Sequence, residues 1–274
     1  GAVMKKTTRF FFGSRFRFAT LAMGLAAAFT VAMASPDSRA KTSAAKASYV
    51  KGTVEVGAKA DGPWKKLKKN RKVKAGQYVR TGAGSRAELK FPDGSVIRIG
   101  EESTLEVQEA GFDGKSKSVN VKANLLGGKA WSKVSKLAGD DARFEVQSDN
   151  AVAGVRGTIF RLNVDKDQAT VVKVYTGSVA VSNSPFFAKK DTGKEATAPV
   201  DFKGRKEVAT PFTEVSKKEW EQIVGKMMQV KVAANGAMDE ASTFTAEADQ
   251  SEDKDWVAWN QGLDEGRDAT SLDY

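Results

Sequence analysis

The sequence predicts an all-β module of irregular solenoid or sandwich type, followed by one amphipathic helix and a disordered acidic tail. Three observations predict it. A short unit of glycine, a small hydroxyl residue and a β-branched residue recurs as Gly52-Thr53-Val54, Gly94-Ser95-Val96, Gly157-Thr158-Ile159 and Gly177-Ser178-Val179. Each glycine follows turn-like residues, where a positive φ costs little without a Cβ, and each β-branched residue suits the start of a strand. Apolar and polar residues alternate at Ala87–Phe91, Leu105–Val107, Val119–Val121 and Phe144–Val146, which implies one packed face and one wet face. Turn signals separate these runs, among them Asp61-Gly62-Pro63, Gly82-Ala83-Gly84-Ser85, Pro92-Asp93-Gly94 and Gly127-Gly128. Strands at this spacing fit a sandwich, a barrel or an irregular solenoid, and periodicity does not choose among them.

From the N-terminus, Lys5, Lys6, Arg9, Arg15 and Arg17 precede an apolar run, Phe18–Ala34, and the small-x-small sites Ala32-Met33-Ala34 and Ser38-Arg39-Ala40 follow. Basic, apolar and small-residue regions in that order predict a secretory signal peptide over residues 1–40. An uncleaved signal anchor is the alternative, because about 17 apolar residues is the low edge of a membrane span. The expected location is therefore periplasmic or extracellular, with membrane contact only through an uncleaved signal. Residues 41–48 are expected to be a small polar linker, 49–183 the β module, and 184–213 a second linker rich in Lys, Thr, Ala and Pro.

A helix is expected over 214–234. Ser216 and Glu219 have capping-box spacing, Val215 and Trp220 fit a hydrophobic staple, and Trp220, Ile223, Val224, Met227 and Val230 share one helical face. From 235 to 274 the chain turns acidic and poor in aliphatic residues, so disorder is expected, interrupted by Trp256, Trp259 and Leu263 as a short linear motif.

Charge is unevenly spread. The formal net charge of the 274 residues is +10. Between Lys46 and Lys90 there are 13 cations against 3 acids, and between Asp239 and Tyr274 11 acids against 2 cations. Opposite signs imply different partners or mutual attraction, including a tail that folds back on the basic stretch. Cysteine and histidine are both absent. That removes thiolate nucleophiles, imidazole or thiolate metal sites, Ser-His-Asp triads and disulfides. No phosphate-cradling loop or paired-carboxylate motif stands out, so no enzyme activity, cofactor or metal is expected, and a carboxylate-dependent glycan hydrolase is the remote alternative.

Val50–Val54, Trp64–Leu67, Val79–Ala87, Asp93-Gly94-Ser95, Val155–Phe160 and Tyr175–Val179, in this order, resemble the FecR domain over residues 49–182. The resemblance implies a compact, solenoid-like all-β fold outside the cytoplasm, and kinship with periplasmic sensor regulators of iron-citrate or siderophore uptake that govern a sigma factor. With 17 residues ahead of the apolar run there is no room in this stretch for a sigma-binding domain. The expectation is thus an exported binding or scaffold protein of the cell envelope, with a signalling component as the alternative.

Two candidate binding sites stand out. Within Trp64–Lys74, the residues Lys65, Lys66, Lys68, Lys69, Arg71 and Lys72 can neutralise an anionic partner, either an envelope polymer or an envelope protein. Nucleic acid is not expected, since export and the lack of a reading helix argue against it. Arg156 offers a guanidinium fork for carboxylates, or else an internal clamp on its turn. Gly52, Thr81, Gly82, Asp93, Gly94, Gly157, Thr158, Phe160 and Gly177 are expected to act structurally, in turns and strand starts.

Overall fold

Each of the four glycine units opens a strand. In the computed structural model, which describes residues 44–116, 118–136, 142–183 and 221–272, Gly52, Gly94, Gly157 and Gly177 have φ of 75°, 89°, 66° and 83°. A strand begins two residues after each of them. The signal segment, the 184–213 linker and the Ser216 capping box lie outside the described residues.

Seventeen strands occur among the described residues. The first nine are β1 (Ala45–Lys51), β2 (Val54–Gly57), β3 (Trp64–Lys66), β4 (Lys72–Val73), β5 (Gln77–Thr81), β6 (Arg86–Lys90), β7 (Val96–Ile99), β8 (Thr104–Phe112) and β9 (Val119–Lys133). The rest are β10 (Arg143–Gln147), β11 (Ala151–Val155), β12 (Ile159–Val164), β13 (Thr170–Thr176), β14 (Val179–Asn183), β15 (Glu221–Val224), β16 (Met228–Val232) and β17 (Ser242–Thr243). One helix, α1 (Ala246–Asp264), and a short 3-10 turn, Ala269–Leu272, complete the chain.

The strands form two layers joined through β9. The first sheet runs β3-β2-β5-β8-β9-β10-β11-β14-β15, antiparallel except for the β9–β10 pair. The second runs β4-β1-β6-β7-β9-β12-β13-β16-β17, antiparallel throughout. The first half of β9 pairs with β8 and β10, and the half from Gly128 onward pairs with β7 and β12. The change of layer occurs at Gly127-Gly128. Gly128 has φ of 90°, and a Cβ there would strike the backbone and side chain of Ser103. Ser103 Oγ accepts the Lys129 N–H at 2.9 Å, which fixes the crossing.

One core lies between the layers. Val54, Val79, Leu105, Val121, Phe144, Val146 and Val181 come from the first sheet, and Leu89, Ile97, Ile99, Phe160, Leu162 and Val172 from the second. The alternating runs place their apolar members inward, with Ala87, Leu89, Leu105, Val107, Val119, Val121, Phe144 and Val146 at 0–2% exposure. Of the architectures left open by strand spacing, the two-layer one is formed.

Three expectations need correction. Strand β1 begins at Ala45, so residues 45–48 belong to the module and not to a linker: Ala45 and Ala47 are core residues, paired across the sheet with Val73 and Leu89. The helix expected over 214–234 is not formed in its described part, 221–234. Strand β15 extends the first sheet beside β14, and β16 pairs with β13 in the second. Val224, Val230 and Val232 enter the core, and the chain turns between the sheets at Gly225–Met227, where Met227 has φ of 57°. The apolar spacing suits a helix face, but Met228–Val232 also alternates, and open positions beside β13 and β14 supply ladder hydrogen bonds that a helix could not use. The tail is also ordered over most of its length: β17 pairs with β16, and α1 carries buried Trp256 and Trp259. Among the described residues, no helix is long and apolar enough to cross a membrane.

Two adjacent glycines give a contrast. Gly128→Ala is expected to lower stability by about 2 kcal/mol or more, from left-handed strain plus collision with Ser103. Gly127→Ala, which meets nothing within 4 Å, is expected to change it by less than about 1 kcal/mol. Urea unfolding of the two variants checks this.

Candidate binding surfaces

The basic stretch forms one side of the sandwich. Strand β3 is the edge of the first sheet and β4 the edge of the second, and residues 67–71 connect them. Leu67 and Val73 are fully buried and pin the connection, while Lys65, Lys66, Lys68, Lys69, Arg71, Lys72 and Lys74 are exposed. Arg80 stacks over the Trp64 ring at 4.3 Å and bonds Glu55 at 2.7 Å. The six predicted cations are thus brought together on one edge.

Arg156 is not part of that cluster. It follows β11, toward the other side of the first sheet, where it is exposed and lines a shallow cleft of about 340 Å³ with Arg143, Glu145 and Ile223. Ile223, on β15, is 65% exposed.

The predicted structural residues hold turns and strand starts. Thr81 Oγ1 donates to Gly100 O at 2.5 Å and accepts the Ser103 N–H at 3.0 Å. Gly82 N–H donates to Thr53 O at 2.9 Å. Asp93 accepts from the Ser95 hydroxyl at 2.5 Å, closing the turn at Gly94. Thr158, 1% exposed, donates its hydroxyl to Ser178 O at 2.9 Å, which ties the Gly157 turn to the Gly177 turn. Phe160 is a core residue.

A second charged surface, absent from the sequence expectations, lies on the outer face of the second sheet. Tyr49, Glu88, Arg98, Trp131, Arg161, Lys173, Gln229 and Ser242 are successive register partners across eight strands, so their side chains form one row. Lys129 and Lys133 flank Trp131 on the same face of β9. The ring of Trp131 stacks on Tyr175 with centroids 4.2 Å apart.

Helix α1 covers this row from Tyr49 to Lys173. Thr245 caps it by accepting the Ala248 N–H at 3.2 Å, and its first turn carries Glu247 and Asp249, which suits the positive end of the helix dipole. Helical geometry is interrupted at Asp253 (φ −157°, ψ 61°), whose carboxylate meets Lys129 at 2.6 Å. The inward face repeats at three- and four-residue steps. Asp249 meets Arg161 at 2.9 Å and Lys173 at 3.1 Å, and Glu252 meets the same two at 3.1 and 2.6 Å. Near the other end, Asp264 meets Arg98 at 2.8 Å and accepts the Trp131 indole N–H at 2.9 Å. Between these ends, Trp256, Val257 and Trp259 pack with Trp131, Tyr49, Ile159 and Tyr175. The acidic segment does fold back onto a basic surface, but onto the sheet face and not onto Trp64–Lys74.

Arg161, Lys173 and Asp249 are 1–3% exposed. Removing such charges from water costs about as much as their mutual attraction returns, so the tryptophans supply the gain in docking and the ion pairs fix its register. Burial pushes the Tyr175 phenol far above its ordinary range; Arg161 opposes the shift and Asp249, its hydrogen-bond acceptor at 2.7 Å, adds to it. Glu101 is held below the usual carboxylate range by the Gly84 N–H, with Lys129 assisting. The sequence carries one cue to this face: lone cations inside apolar strand runs, as in Val96-Ile97-Arg98-Ile99, Phe160-Arg161-Leu162 and Val171-Val172-Lys173-Val174.

Residues 77–180 match the family model described as FecR protein. This stretch is a FecR domain. It runs from β5 to the start of β14 and includes Arg98, Trp131, Arg161 and Lys173, while β1–β4 and α1 lie outside the match. No curated protein matches the chain. Among solved structures, two crystal structures of a candidate anti-sigma factor from Parabacteroides distasonis ATCC 8503 are similar. The 1.65 Å structure shares 17% identity with a TM-score of 0.43, over 66% of this chain and 64% of that one. The 2.50 Å structure shares 18% identity with a TM-score of 0.42, over 68% of this chain and 64% of that one. The chain thus spans about 64% of the length of those structures.

Two outcomes are expected here. Asp249→Asn leaves Arg161 and Lys173 with Glu252 alone and is expected to cost about 3 kcal/mol of stability, read from urea unfolding. Tyr175→Phe tests alkaline stability. A phenol whose folded pKa is raised contributes in full below its unfolded pKa of about 10, and the contribution is lost as pH climbs from there toward the folded value. The variant is expected to lose about 1 kcal/mol at pH about 8, and its stability is expected to fall less steeply than the parent's between pH about 9 and about 11.

Proposed function

We propose that this is an exported, non-enzymatic binding protein of the bacterial cell envelope, which engages an anionic polymer or an acidic envelope protein through the lysine-rich edge of its β module. The observation that carries this reading is the run Lys65, Lys66, Lys68, Lys69, Arg71 and Lys72, exposed on the two adjacent edge strands and their connection. The cations on the outer face of the second sheet meet carboxylates of α1, whereas these six make no ion pair with another described residue. A cluster of one sign raises the local concentration of an oppositely charged partner and speeds its encounter. Export is supported by the basic, apolar and small-residue order of residues 1–40, and the absence of histidine and cysteine supports a role without nucleophilic catalysis.

Lysines on edge strands also discourage edge-to-edge pairing of sheets, and charge reversal separates the two roles. Glutamates at 65, 66, 68 and 69 protect an edge as well as lysines do, but repel an anion. The quadruple Lys→Glu variant is expected to keep the parent's oligomeric state and to lose affinity for a soluble polyanion such as polyphosphate by at least about tenfold at low salt. Unchanged affinity overturns the reading. Fractionation of expressing cells with sequencing of the mature N-terminus checks export.

The FecR domain favours a second reading, a periplasmic component of a signalling route related to iron-citrate or siderophore sensors. It predicts a salt-resistant cross-link to an outer-membrane receptor, where a polymer ligand elutes with salt.

A further inference from the structure

The outer face of the second sheet is built for a ligand that the chain itself supplies incompletely. Arg161 is 1% exposed, yet only its Nη2 is engaged, by Asp249 and Glu252. Its Nε and Nη1 have no acceptor, and neither do the indole N–H groups of the buried Trp256 and Trp259. Buried donors without acceptors oppose the docked state. The helix itself is interrupted at Asp253, in the middle of the contact. Helix α1 therefore matches the sheet in charge and spacing while leaving donors unused on both sides of the contact.

We infer that this face is a docking site for an acidic helix of a partner protein, with carboxylates at either end of an apolar stripe, and that α1 occupies it as a displaceable stand-in. The chemistry of the occupant follows from what α1 presents: carboxylates at 249, 252, 253 and 264, against Arg161, Lys173, Lys129 and Arg98. A flexible polyanion supplies charge, but it lacks the apolar stripe that fills the space over Trp131 and Tyr49. A second copy of this chain is disfavoured by the tether. Only Phe244 and Thr245 separate β17 from α1, and the Phe244 N–H is bonded to Met227 O at 3.1 Å. Handing α1 to another copy would strip β17 from β16, a cost that a separate protein does not incur. This site is distinct from the lysine edge, and each can fail without the other.

A fluorescent peptide of residues 244–265 serves as the probe, added to the full chain and read by polarisation. Asp249→Lys with Asp264→Lys loosens α1 at both ends. This double variant is expected to bind the peptide at least tenfold more tightly than the parent. A peptide with amides at 249, 252, 253 and 264 is expected to bind it at least tenfold more weakly than the acidic one. Adding Arg98→Glu and Lys173→Glu to the variant is expected to abolish binding. Equal binding by parent and variant, or undiminished binding of the amide peptide, overturns the proposal. Polyphosphate binding by the double variant that is lost with Arg98→Glu and Lys173→Glu, without binding of the peptide, assigns the face to a polymer and also overturns it, as does a parent chain that dimerises with concentration. Should the double variant fail to fold, Asp264→Asn alone must raise peptide affinity at least threefold for the proposal to stand.

Discussion

The charged row of the second sheet can be buried only because carboxylates lie opposite it. Arg98, Arg161 and Lys173 stand in line on a sheet face that also carries Trp131 and Tyr175. Covering that face with an apolar helix would leave Arg161 and Lys173 in a medium of low dielectric without counter-charge, at a cost of several kcal/mol each, and Arg98 with only Glu88 of the neighbouring strand, 2.8 Å away. Covering it with an acidic coil would leave the aromatic rings in water. An acidic helix with tryptophans between its carboxylates answers both demands, and the described C-terminal part of the chain takes that form. The position and acidity of α1, and the burial of the second sheet on both faces, follow from this constraint.

The sandwich beneath makes the row possible. Because β9 changes layer at Gly127-Gly128, its second half stands between β7 and β12 and sets Trp131 beside Arg98 on one side and Arg161 on the other. The inward members of the same strands, Ile97, Ala130, Leu162 and Val172, fill the common core. A slip of one residue in any of these strands would send its cation into the core and its apolar partner outward. Core packing and surface chemistry are thus fixed by a single register, and the FecR domain carries both.

Much of the fold was legible in the sequence, because its signals are local. A glycine with positive φ followed by a hydroxyl residue and a β-branched one marks a strand start through backbone sterics alone, and all four such units behave so. What failed was decided by distant partners. Residues 221–232 have apolar spacing compatible with helix or strand, and the vacant edges of β13 and β14, about 50 residues earlier, decide for strand. Helix α1 was hidden because its two tryptophans and Val257 sit in a stretch dominated by carboxylates, which in isolation looks like a solvated or disordered segment. The lysine edge was legible because its charges are consecutive, whereas the row under α1 takes one residue from each of several strands and emerges only once they are paired.

Amide hydrogen exchange across residues 246–264, compared with β9 and β12 at rising salt, tests the account most directly. A helix docked by buried tryptophans, with its central ion pairs shielded from solvent, is predicted to keep most of its protection as salt rises, while exchanging faster than β9 and β12 because it opens without the sandwich. Exchange of 246–264 as fast as an unfolded chain at every salt concentration would contradict the account, and so would protection that is lost in step with rising salt while β9 and β12 stay protected.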